Sequence, residues 1–78
     1  MEINQAKLAA LILEFEQKNC SREAIASLRQ LAKEGKLPNK VVEAINGGKA
    51  RTRKSPSYIS ILYLPKVKGR YQSYTINT

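Results

Sequence analysis

Histidine, aspartate and tryptophan are missing from this 78-residue chain, and cysteine occurs once. All six carboxylates are glutamates, so the usual acid-base pairs, catalytic triads and imidazole metal ligands lose their residues. Neither enzymatic activity nor a cofactor is expected. Cys20 alone excludes an intrachain disulfide and cannot assemble a thiolate metal site, which fits a reducing compartment. It sits just ahead of a predicted helix start, where a thiolate would be stabilised, but no histidine base is present and it is read as inert. There is no run of eighteen apolar residues and no basic-then-apolar start ending in a small-residue cleavage site. The expected location is therefore intracellular: cytoplasmic, and nucleoid-associated if the source is bacterial. A chain this short makes one domain, residues 1–78, burying roughly 60% of the surface exposed by its unfolded form, so its stability is thin.

Negative charge is the next scarcity, and it is unevenly placed. Residues 1–34 balance Glu2, Glu14, Glu16, Glu23 and Glu34 against Lys7, Lys18, Arg22, Arg29 and Lys33. Residues 35–78 set Glu43 alone against Lys36, Lys40, Lys49, Arg51, Arg53, Lys54, Lys66, Lys68 and Arg70. The whole formal charge of +8 lies in the second half. Such a split points to a directed electrostatic face and a polyanionic partner.

Leu8, Leu11, Ile12 and Phe15 recur at helical spacing and predict a first helix over about 4–18. Ser21 is an N-cap candidate for a second helix over 22–34, which carries Ala24, Ile25, Leu28, Leu31 and Ala32 and stops at Gly35. Pro38 and Asn39 suit the opening of a third helix over 39–46, which carries Val41, Val42, Ala44 and Ile45 and stops at Gly47 and Gly48. Residues 47–57 then read as a basic loop. SYISILYL and YQSYTINT are β-rich and flank the turn composition PKVKGR, which predicts a hairpin with strands 58–64 and 70–76. With Lys66, Val67, Lys68 and Gly69 as the loop, Ile59 faces Ile76, Ile61 faces Tyr74 and Tyr63 faces Gln72. One face becomes apolar and covers the helices, while Tyr58, Ser60, Leu62, Leu64, Tyr71, Ser73 and Thr75 lie on the other. A lone hairpin is marginal in water, so this one is expected to dock on the helices.

The expected fold is thus α+β, a three-helix core followed by a C-terminal β-hairpin. Two amphipathic helices joined by the tight EGKLPNK turn, then a basic segment and a hairpin, resemble the winged helix-turn-helix arrangement of many DNA-binding proteins. The resemblance is one of element order over residues 4–76, and it implies that the third helix reads bases. Asn39 and Lys40 are then candidate base contacts, with Glu43 and Asn46 as the other polar positions. Asn39 as a cap and Asn46 as a helix-end residue are the competing readings.

Phosphate contacts are expected from Lys36 in the inter-helix turn, from Lys49, Arg51, Arg53 and Lys54, and from Lys66, Lys68 and Arg70 at the hairpin tip. These clusters can converge on one side of a winged-helix fold. Tyr58 and Tyr71 face outward and can meet a phosphate or an unpaired base, whereas Tyr63 and Tyr74 are assigned to the core. RTRKSP also suits a localisation or modification signal, and GGKARTRKS lacks the spacing of a P-loop.

The expected function is nucleic-acid binding, duplex DNA first, as a transcriptional regulator or architectural factor. An RNA-binding module, and an adaptor or inhibitor that lays its basic face on an acidic protein surface, are the alternatives. The apolar first helix, with Leu62 and Leu64 outward, points to a homodimer.

Overall fold

Each of the three helices begins and ends on a residue chosen for its backbone chemistry, and these stops decide where the sheet starts. In the computed structural model, which describes residues 2–54, 58–64 and 69–77, the helices are α1 (Gln5–Gln17), α2 (Arg22–Lys33) and α3 (Asn39–Asn46). Asn4 caps α1, its side chain accepting from the Lys7 N–H at 3.1 Å. Ser21 caps α2, its hydroxyl accepting from the Ala24 N–H, as its position predicts. Pro38 is the N-cap of α3 and makes no side-chain cap bond, so Asn39 is the first helical residue and not a cap.

All three helices close with a left-handed residue. Cys20 N–H reaches back to the Phe15 carbonyl, Lys36 N–H to Leu31 and Lys49 N–H to Ala44, across Asn19, Gly35 and Gly48 respectively. Those positive-φ positions let the chain reverse at once while satisfying carbonyls the helix leaves open. Gly35 and Gly48 adopt φ of +69° and +71° without the penalty a Cβ would bring.

The sheet has three antiparallel strands in the order β1 (Ala50–Lys54), β2 (Tyr58–Tyr63) and β3 (Gln72–Asn77). The hairpin register is the one the apolar pattern requires, with Ile59 opposite Ile76, Ile61 opposite Tyr74 and Tyr63 opposite Gln72. A correction concerns the basic loop: residues 50–54 of it form a strand. Ala50 pairs with Tyr63, Thr52 with Ile61 and Lys54 with Ile59, on the far side of β2 from β3. Two forces outside ARTRK account for this. The open edge of β2 offers unpaired backbone groups, and Lys18 at the end of α1 donates to both the Thr52 carbonyl (2.9 Å) and the Thr52 hydroxyl (2.7 Å).

The helices cover one face of the sheet. Phe15, Leu28, Val41, Ile59 and Ile61 are the largest fully buried side chains, drawn from all three helices and the central strand. Burying each is worth about 1.5–3 kcal/mol by apolar transfer. Tyr63 is buried and donates its hydroxyl to Gln72 Oε1 at 3.1 Å, and Tyr74 is half-buried against the core, as assigned. Ser60 is a departure, because it lies on the outward face yet is only 3% exposed. Arg53 and Thr75 flank this small side chain on the neighbouring strands, and its hydroxyl pairs with that of Thr75 at 3.1 Å. Among the described residues, no helix is long and apolar enough to cross a membrane.

Candidate nucleic-acid interface

Strand alternation sorts the basic segment into two groups. Positions 50, 52 and 54 share the side of the sheet that carries Ile59, Ile61 and Tyr63, and Thr52 there is buried against Lys18. Arg51 and Arg53 therefore point away from the helices, in register with Leu62 and Ser60. Lys54, although exposed, belongs to the helix side of the register, and Lys49 is exposed just ahead of the strand. Four candidate contacts within six positions are divided by a single fact, that residues 50–54 form a strand.

The outward face can be laid out row by row. Tyr58 stands opposite Asn77; Arg53, Ser60 and Thr75 form the next row; Arg51, Leu62 and Ser73 the one after. Beyond them lie Leu64 and Tyr71, both exposed. The Arg51 guanidinium sits over the Tyr71 ring, 5.9 Å from its centroid, so the edge strand and the residue entering β3 meet across the sheet. Arg70, next to Tyr71, is exposed. No acidic side chain follows Glu43 in the chain, so none of the described sheet residues sets a carboxylate side chain against an anion. Lys66 and Lys68, assigned to the hairpin tip, lie outside the described residues, as does most of the expected turn.

The remaining candidates belong to the helix layer. Asn39 and Lys40 are exposed at the start of α3, and Lys36 is exposed in the turn before it. Lys36 pairs with Glu34 at 2.9 Å, which offsets part of its charge. Glu34 is held below the usual carboxylate range by the Gln30 amide first and by Lys36 second. Glu23, at the other end of α2, is likewise lowered, by its own backbone N–H and then by the Ser21 hydroxyl.

Asn46 is engaged with the N-terminal segment. Its Oδ1 accepts from the Asn4 N–H at 2.7 Å and its Nδ2 donates to the Glu2 carbonyl at 2.9 Å, pinning the N-terminal segment to the end of α3. The expected convergence of all basic clusters on one side does not hold. Arg51 and Arg53 project from the face opposite the helices, while Lys36 and Lys40 lie in the helix layer, because the sheet stands between them.

Sequence reasoning expects Leu62, Ser73 and Thr75 on this face but gives them no functional role, and it passes over Asn77, one residue past the expected strand end, and Lys18, which anchors the edge of the face. The period-two pattern of both hairpin strands carried the first four; nothing local marked Lys18. Leu13 on α1 and Leu64 after β2 are the exposed leucines, 53% and 39% accessible. Cys20 is buried and free. Compared with protein-family models, curated proteins and solved structures, the chain matches none.

Proposed function

We propose that this chain is a nucleic-acid-binding domain whose contact surface is the outward face of its sheet. The observation that supports it is the placement of Arg51 and Arg53 on a face that also carries Tyr58 and Tyr71 and, among the described residues, no acidic side chain. Guanidinium groups hold phosphates and the tyrosines offer flat apolar surface with a hydroxyl, a combination suited to sugar, phosphate and base together. An acidic protein surface would satisfy the charge but would make no particular use of the Arg51–Tyr71 pair. Reading of duplex DNA by α3 has less to draw on, since Lys40 is its one cation and Asn46 is committed to the N-terminal segment.

Affinity on this reading falls with salt as bound cations displace condensed counterions. If about four phosphates are neutralised, the slope of log affinity against log salt is near −3 on a single strand and about −3.6 on a duplex. Fluorescence anisotropy of labelled oligonucleotides across a salt series measures it. Replacing Arg51 and Arg53 together by alanine is expected to flatten the slope by about 1.5–2. A slope near zero for DNA and RNA alike would refute the proposal.

A further inference from the structure

We infer that the outward face takes a short stretch of single-stranded nucleic acid, laid along β2 between Tyr58 and Tyr71, with unpaired bases stacked on the two rings and phosphates along β1. The inference rests on the nucleic-acid reading above and adds the strandedness, the length and the residue roles.

The spacing of the groups carries it. Tyr58 stands at one end of β2, and Tyr71 lies one residue before β3, past the row in which Tyr63 meets Gln72. Six residues of strand separate those levels, about 20 Å at a strand's rise. Arg51 and Arg53 lie between the rings on the same side of β1, two residues and so about 7 Å apart. In a stacked strand neighbouring phosphates are about 3.4 Å apart along the axis, and in an extended one about twice that. That backbone spacing is the separation of consecutive phosphates in an extended strand, and the distance between the levels of the two tyrosines spans about three such nucleotides.

The surface between the rings is suited to the same ligand. Leu62 is half-buried and Ser60 is sealed by Thr75, which leaves a low, uncharged floor on which bases can lie. Ser73, Thr75 and Asn77 are exposed on β3, across the floor from the arginines, and offer hydrogen bonds to base edges. Tyr71 is half exposed with the Arg51 guanidinium 5.9 Å over its ring, which sets a cation beside the place where a base would stack. A duplex cannot use the rings in this way, because its base faces are hidden in the stack; unpaired bases present theirs.

The test compares an eight-nucleotide single-stranded DNA, an RNA of the same sequence and a sixteen-base-pair duplex by anisotropy at about 100 mM salt, well above a saltless limit where any cation binds. At least one single-stranded arm is expected to bind tenfold or more tightly than the duplex, and the DNA and RNA arms identify the sugar preferred. Shortening the strand should cost little until about three nucleotides remain. The chain has no tryptophan, so tyrosine emission is readable, and it should fall as bases stack. Tyr71→Leu and Tyr58→Leu should each weaken single-strand binding by about 5- to 100-fold, whereas Tyr71→Phe keeps the ring and the affinity. Duplex affinity and the salt slope should stay as they were, and circular dichroism should confirm that each variant is folded. Preference for the duplex, or single-strand affinity indifferent to both leucine variants, overturns this inference while leaving nucleic-acid binding in place. Failure of all three nucleic acids to bind overturns the functional proposal itself.

Discussion

Asn46→Ala separates a structural asparagine from a base-reading one, because the two roles predict opposite results. The side chain spans from the last turn of α3 to the segment leading into α1, accepting from Asn4 N–H at 2.7 Å and donating to the Glu2 carbonyl at 2.9 Å. Asn4 is also the N-cap of α1, so Asn46 holds the residue that holds the helix. Truncation removes both bonds and loosens the cap. A net contribution of about 0.5–1.5 kcal/mol per hydrogen bond, taken in the lower half because both lie at the surface, gives a loss of about 1–2 kcal/mol. For a domain of this size that corresponds to a fall in Tm of roughly 5–15 °C. Thermal and urea unfolding followed by helical circular dichroism read the loss directly. At a temperature where both proteins are folded, affinity for nucleic acid should agree within about twofold, since a difference of that size is only some 0.4 kcal/mol. Asn46→Asp should not rescue stability, because it sets a carboxylate against the Glu2 carbonyl and the negative end of α3. A variant that melts with the parent but loses affinity would refute the clamp and restore Asn46 to the binding surface.

Two further outcomes follow from burial and charge. Phe15→Ala, at a fully buried position, should cost about 3–5 kcal/mol, a large share of the roughly 4–12 kcal/mol available to a chain of this length, while Leu13→Ala, two residues away and 53% exposed, should stay within about 0.5 kcal/mol. Equal urea midpoints for the two would contradict the orientation of α1. Glu23 and Glu34 both have lowered pKa values in the folded state. Their contribution is complete above the ordinary glutamate pKa of about 4.3 and disappears as pH falls through the depressed folded values. Acidification also moves the formal side-chain charge from +8 toward +14, adding self-repulsion. Tm should accordingly fall between pH 6 and pH 3 and fall less in a Glu23→Gln, Glu34→Gln variant, an unchanged Tm over that range being the contrary result.

The helices were legible because their signals are local. Ser21, Gly35 and Gly48 act on backbone groups within a few residues, and α1 to α3 end within one residue of the expected positions. The hairpin register was legible too, since a one-residue slip would move Ile59, Ile61 and Ile76 off the core face. β1 was not. ARTRK carries no apolar alternation, and Thr52, its one buried residue, is polar. It is a strand because β2 has an open edge and α1 brings Lys18 to Thr52, a residue thirty-four positions away.

Composition by itself determined that the second half of this chain is cationic and that its chemistry does not run through histidine or aspartate. Periodicity determined which side chains of α1, α2, α3 and the hairpin turn inward. Only the tertiary structure decided which way the basic residues face. Once residues 50–54 pair with β2, the two-residue alternation of a strand sends Arg51 and Arg53 to the outward face with Tyr71 and turns Lys54 to the other. In a loop those side chains have no common direction. The charge is a property of the sequence, and the face is a property of a hydrogen-bonded ladder whose partner strand and anchoring lysine lie elsewhere in the chain.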